Sequence, residues 1–376
     1  MPVVILLSIL LLLIILQSFI YKRFALKHLS ANVSFSTPVA TCGDIITITE
    51  TIVNKKALPL PWVTLKFEAS RGLQFLDMTN TFLTDNYYRA DLLSLSGWQQ
   101  HNRNIRVRCS RRGYFSFKRL GVSTKDLMLL TSIVAVFPCD STITVVPQQM
   151  VAPEIDILFR FFCGEAVNRR SPVHDPFSFA GIREYQPHDN LKSINWNATA
   201  KKNELMVNTM NHTFQREMTI LLNLMPFTQM QNYSLLEKGI SLAVTWAGRA
   251  FQESIPVRLI SNSRDIITNG PIETEYGCSL DHFSRISIEL ARIDLTKKVP
   301  AFLSVLEKTF REQRQNTTYV IISANADPSL QKFLIDKYNA GLPVVWIIPY
   351  DSVTRMPRVD AAVLPFARTL EVAYDA

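Results

Sequence analysis

Cys163, His174 and Asp175 stand close together in the chain, and a thiol, an imidazole and a carboxylate can form the relay of a nucleophilic enzyme. Their surroundings argue against it. Cys163 follows Phe161-Phe162, the setting of a packed thiol, and His174-Asp175-Pro176 is turn sequence. Paired catalytic carboxylates, a phosphate-cradling glycine loop and a His-x-x-x-His metal pair are missing from the sequence. The residues therefore predict a protein that is not an enzyme and needs no cofactor. A thiol enzyme using Cys163 is the less favoured alternative.

A second set of chemistry-bearing residues lies in the polar stretch from Cys163 to Met210. Arg183, Tyr185, Asp189, Trp196 and Lys201 combine charge with aromatic area, and Arg, Tyr and Trp dominate the energetics of protein interfaces. Two readings stay open. Arg183 can make a forked contact to a carboxylate such as Asp189, and Asp189 can cap a short helix beginning near Leu191, with Ile194 and Trp196 turned inward. The segment is then a charged clasp joining two domains. Alternatively, the five residues form an exposed surface for a protein partner.

Charge narrows the class. The net charge is +8, and its densest source, His101 to Lys125, holds eight Lys or Arg and no acid. Ile105, Val107 and Cys109 alternate there with Arg106 and Arg108, as on a strand with one buried and one basic face. That is an ordinary solvated sheet face, and no nucleic-acid motif accompanies it. The five cysteines are scattered and never form Cys-x-x-Cys, which suits reduced, mostly buried thiols better than a disulfide frame or a zinc site.

The elements that must position these residues fall into three kinds. Residues 3–20 are apolar except for Ser8, Gln17 and Ser18, and as a helix they extend about 27 Å, one hydrocarbon core. Lys22, Arg23, Lys27 and His28 follow the span. The positive-inside rule then gives a single-pass protein of the cell inner membrane with its bulk in the cytoplasm. From Asn32 to Pro147 short alternating runs, among them Ile46, Ile48 and Ile52, predict a β-sandwich. Beyond residue 215 apolar strands at 218–224, 256–260, 319–322 and 344–348 alternate with helices marked by Leu236, Ile240, Ala243 and Ala247, by Phe302, Leu306 and Phe310, and over 330–338. That pattern predicts a doubly wound parallel sheet. The expected organisation is an anchor at 1–23, a β-sandwich domain at 31–150, a joining segment at 151–215 and an α/β domain at 216–376.

The run Phe179-Ala180-Gly181-Ile182-Arg183-Glu184-Tyr185-Gln186-Pro187-His188-Asp189-Asn190-Leu191-Lys192-Ser193-Ile194-Asn195-Trp196, continued by Ala200-Lys201 and Leu205-Met206-Val207, resembles the signature of the bacterial family known as domain of unknown function 58. His188 stands where that pattern has Gly, and Lys192 where it has Arg. The resemblance implies a C-terminal domain similar to the von Willebrand factor type A fold. It also implies association with MoxR-type AAA+ ATPases, and hence a membrane-anchored scaffold or adaptor in envelope-related assembly. Domains of that fold often hold Mg²⁺ through Asp-x-Ser-x-Ser after the first strand. Here the run is Asn223-Leu224-Met225-Pro226-Phe227, a poor source of the hard oxygens that magnesium requires, so no metal site is expected. A metal-dependent ligand-binding domain with atypical ligands remains the alternative.

Overall fold

The structure is a computed structural model that describes residues 2–83, 86–168, 179–186, 194–210, 217–226, 233–312, 316–352 and 357–372. The chain divides into two units: residues 1–148 with 265–270 and 287–294, and residues 149–264 with 271–286 and 295–376.

The first unit opens with helix α1 (Pro2–Phe24), whose stretch Val3–Phe24 is long and apolar enough to cross a membrane. Ten strands follow: β1 (Leu29–Phe35), β2 (Val39–Thr41), β3 (Ile45–Asn54), β4 (Leu60–Ala69), β5 (Leu73–Phe75), β6 (Thr81–Leu83), β7 (Tyr87–Leu95), β8 (Gln100–Cys109), β9 (Gly113–Lys125) and β10 (Ser132–Val146). They form two sheets, ordered β1-β3-β8-β5 and β2-β10-β9-β4-β7-β6, antiparallel except where β2 runs parallel to β10. Both sheets feed one core. Val33, Ile48, Ile52 and Val107 come from the first sheet, and Val63, Leu65, Leu120, Val122 and Ile143 from the second. The expected alternation holds: Ile105, Val107 and Cys109 are buried, while Arg106 and Arg108 are exposed. Tyr21 and Ala25, at the end of α1 and just past it, also belong to this core, so helix and sandwich are packed as one body.

The second unit begins with α2 (Pro153–Asn168), inside the segment expected to join the domains. Pro153 at the start and Glu154 and Asp156 in the first turn suit a helix N-terminus. Among its described side chains, Ile155 and Phe159, four residues apart, are buried. Next come β11 (Phe179–Glu184), α3 (Trp196–Lys202) and β12 (Met206–Met210), the two strands pairing antiparallel.

The main sheet is built from β13 (Glu217–Leu222), β14 (Val257–Arg264), β15 (Pro271–Glu273), β16 (Thr317–Ile322), β17 (Val344–Tyr350) and β18 (Ala367–Glu371), in the order β15-β14-β13-β16-β17-β18. Only β15 is antiparallel to its neighbour. Its helices are α4 (Tyr233–Gln252), α5 (Leu280–Ala291), α6 (Phe302–Arg311) and α7 (Pro328–Asn339). Strand parity decides which helix covers which face. Leu221, Ile260, Tyr319, Ile321 and Trp346 pack with Phe302, Leu306 and Phe310 of α6 and with Leu330 and Leu334 of α7. Leu222 and Ile322 point the other way, and both lie close to Gly239 of α4. Helices therefore cover both faces, as the alternation of apolar strands and helices required. α2 docks on α4: the Phe159 and Trp246 rings are 5.2 Å apart, Asp156 pairs with Arg249 at 2.7 Å, and Met150 N donates to Thr245 Oγ1.

Candidate functional site

The signature residues gather on the small unit made of β11, α3 and β12. Arg183 lies opposite Val207 in the strand pair, and Ile194 bridges Val207 from its other side, making a third strand position. Asn195 then starts α3: its side chain accepts from Ala198 N at 3.0 Å, while its own amide group donates to Asn208 Oδ1. Asn203 closes the helix in the left-handed conformation, with its N–H on Thr199 O.

This geometry corrects the clasp reading at one residue. Ile194 is turned inward as expected, but Trp196 is 68% exposed. The cap explains the difference. With Asn195 as cap, Trp196 becomes the first helical residue of a helix that buries none of its side chains. Asn195 is the capping residue of α3. Asp189 lies outside the described residues, as do His174, Asp175, His188 and Lys192, and so does the side chain of Cys163. Arg183 and Tyr185 are half-buried, Lys201 is exposed in the last turn of α3, and Arg183 donates to Glu184 O at 3.0 Å. Ile182 and Leu205 are exposed on the same unit. The signature thus presents a bare indole together with apolar and cationic side chains.

The carboxyl ends of β13, β14 and β16 form a second candidate. The chain leaves β13 for β14 on one side and later for β16 on the other, so this rim is the switch point at which open α/β sheets bind ligands. Asn223 Nδ2 donates to Ser323 Oγ at 2.9 Å, closing the crevice between β13 and β16. Asn223 Oδ1 accepts from Met225 N and from Asn262 Nδ2, each at 3.0 Å. Asn262 Oδ1 accepts from Leu224 N, and Ser323 Oγ donates to Asn325 O. Asn223, Asn262 and Ser323 are all buried. The set does not fit magnesium. Its oxygens are neutral and already bonded within the network, where Mg²⁺ demands free hard oxygens in octahedral geometry. The arrangement is a polar latch.

A surface groove of about 690 Å³ lies between α2 and β18, lined by Glu154, Ile157, Leu158, Arg368 and Glu371. It joins neither candidate. Among the thiols described, Cys109 and Cys139 are buried, Cys42 is partly covered and Cys278 is exposed. Burial pushes the Cys109 thiol up to about 11, aided by the nearby Asp44, so it stays protonated and inert near neutrality. Brief alkylation of the folded protein at neutral pH should label Cys278 and spare Cys109, as peptide mass spectrometry would show. Equal labelling of the two would contradict the packing.

Residues 181–336 match the family described as "Protein of unknown function DUF58". These residues are a DUF58 region. The match covers Arg183, Tyr185, Trp196 and Lys201, and runs through β13 to β16 into α7, ending before β17 and β18. The uncharacterized protein YeaD of Bacillus subtilis (strain 168) is 21% identical to this chain over 214 residues, which is 56% of this chain and 51% of YeaD. The chain therefore spans about half the length of that curated relative. Among solved structures, a non-cellulosomal cohesin from Archaeoglobus fulgidus shares 16% identity, covering 35% of this chain and 96% of its own, with a TM-score of 0.24. A CARDB domain from Pyrococcus furiosus shares 13% identity over 31% of this chain and 87% of its own, with a TM-score of 0.20.

Proposed function

We propose that this DUF58 chain is a membrane-anchored, non-enzymatic adaptor whose signature unit recruits a protein partner. The observation that carries the reading is Trp196, 68% exposed on a helix whose side chains are all outside the core. A large aromatic left bare on the unit that also carries Arg183 and Lys201 has the composition of an interface anchor. The bonded latch at the sheet rim supports the same reading, since among the described residues it ties the polar groups of the switch point to one another. The partner implied by the resemblance is a MoxR-type AAA+ ATPase, and the two-faced parallel sheet suits a von Willebrand factor type A-like domain. Placement in the inner membrane with the bulk in the cytoplasm is supported by Lys22 and Arg23 in the last turn of α1. The core positions of Tyr21 and Ala25 favour a retained helix over a cleaved leader.

The test uses the full-length chain in lipid nanodiscs and the purified MoxR-type ATPase of the same genome, with ATP present. Wild type should retain the ATPase, and Trp196→Ala should weaken retention about 30-fold, the cost of losing one interface anchor of roughly 2 kcal/mol. Arg183→Ala should weaken it less. Failure of the wild type to bind any such ATPase would remove the adaptor reading.

A further inference from the structure

Beyond α1, four exposed apolar side chains of the first unit are consecutive. Leu127, Met128, Leu129 and Leu130 form the tip between β9 and β10, and they are 63%, 50%, 55% and 68% exposed. Tips of hairpins ordinarily use Gly, Asn, Asp or Pro, which supply the turn geometry and suit water. Here Leu129 holds the left-handed conformation at φ 60° without being Gly or Asn. Asp126 fixes the turn: its N–H donates to Thr131 O, its carbonyl accepts from Leu129 N, and its Oδ1 accepts from Thr131 N. The loop is therefore built to display these four side chains.

Its position says what covers them. Ser18 Oγ donates to Asp126 Oδ2 at 2.7 Å, and the Tyr21 hydroxyl bonds to Thr124 Oγ1. The tip is thus tied to α1 near the end of its apolar run, two residues (about 3 Å of helix) before Ile20. The neighbouring turns point to the same end of the sandwich. Lys55 N donates to His28 O just beyond α1, and Trp98 N donates to Lys56 O, with Trp98 74% exposed. Trp62, 40% exposed, is paired with Lys125 at the foot of the tip. Indoles and lysines ringing an apolar loop are the chemistry of the boundary between headgroups and acyl chains.

We propose that the β9–β10 tip is a second membrane contact, inserting Leu127 to Leu130 into the bilayer interface beside α1 with Trp62 and Trp98 at headgroup level. This rests on α1 spanning the bilayer. With the helix packed on the sandwich as one body, an inserted loop adds a second point in the bilayer that sets the tilt and rotation of that body, which a single span leaves unset.

The test places a photoreactive benzoylphenylalanine in the full-length chain, in nanodiscs containing anionic lipid. It is introduced singly at Met128, at Leu130, at Leu11 in the middle of α1, and at Arg111 in the turn at the far end of β9. That strand has 13 residues, so Arg111 lies about 40 Å from the tip. Lipid adducts at Met128 and Leu130 should approach those at Leu11 and exceed those at Arg111 by about fivefold or more. Lipid adducts at Leu11 but not at Met128 or Leu130 would overturn the proposal and leave the anchor standing. So would protein–protein adducts at the tip. Absence of lipid adducts at Leu11 would remove the anchor itself, and the proposal with it.

Discussion

Replacing Glu50 with glutamine should flatten the pH dependence of this protein's stability. Glu50 lies on β3 opposite Arg103 of β8 and is 1% exposed. The two nearby arginines are engaged elsewhere. Arg89 Nε bonds to Asp91 Oδ2 at 2.6 Å and Arg103 to Asp91 Oδ1 at 2.7 Å, so both cations serve the buried Asp91. Burial, reinforced by the repelling charge of Asp91 and only partly offset by Arg89 and Arg103, pushes the Glu50 carboxyl from 4.5 to about 8.

The sign follows from proton counting. Between these two values the folded chain holds a proton that the unfolded chain has released, so stability falls as pH rises. The contribution is complete below 4.5, declines through the neutral range and is gone above about 8. At about 1.4 kcal/mol per unit, the full swing is on the order of a few kcal/mol. Glu50→Gln keeps the neutral shape without the titration. It should match wild type near pH 5 and exceed it by several kcal/mol near pH 9. Thermal unfolding of both full-length proteins at the two pH values reads the difference. Parallel loss of stability in both would show that Glu50 is not the titrating group.

Periodicity held this information. Ile46, Ile48 and Ile52 mark the buried parity of β3, and Glu50 occupies the same parity. A carboxylate on a core face is the residue to question, and the sequence signal was there to find it. Parity also separated the basic from the buried face of β8 and located the main strands of the second unit, because burial on one or both faces leaves a plain mark on residue type. What parity cannot convey is pairing. Strand order depends on which strand each chain crossing returns to, so the switch point between β13 and β16 became visible only with the fold. α2 was legible in principle through Ile155 and Phe159 and its acidic first turn, but the density of charge after Asn168 hid it within a joining segment. β18 left little trace, since Ala367, Arg368 and Thr369 on an edge strand resemble a loop. The sequence leaves Trp196 open between a buried clasp and an exposed surface for a different reason. Its size suggests burial, but the position after a capping Asn sets its direction, and a one-residue shift in a helix start turns a side chain from core to solvent.

Asn223→Asp should destabilise the second unit, and added magnesium should not repair the loss. The substitution supplies the acidic residue that an ion-binding rim would begin with, so it separates a latch from a degenerate metal site. In the latch, Asn223 both accepts from Met225 N and Asn262 and donates to Ser323. Aspartate retains the acceptor role and loses the donor, leaving a charge buried among neutral partners. The expected cost is roughly 3 kcal/mol, the penalty for a broken buried bond plus an uncompensated carboxylate. A ligand that binds only the folded state stabilises it by about 2.7 kcal/mol at a hundred times its dissociation constant, so even a moderately tight ion site would register. Thermal unfolding of wild type and variant with and without millimolar Mg²⁺ is therefore decisive. Equal midpoints with and without the ion in both proteins support the latch. A rise of several degrees on adding Mg²⁺ to wild type, or recovery of the variant to the wild-type midpoint, would restore the rim as an ion site. The adaptor reading would then lose one of its two supports.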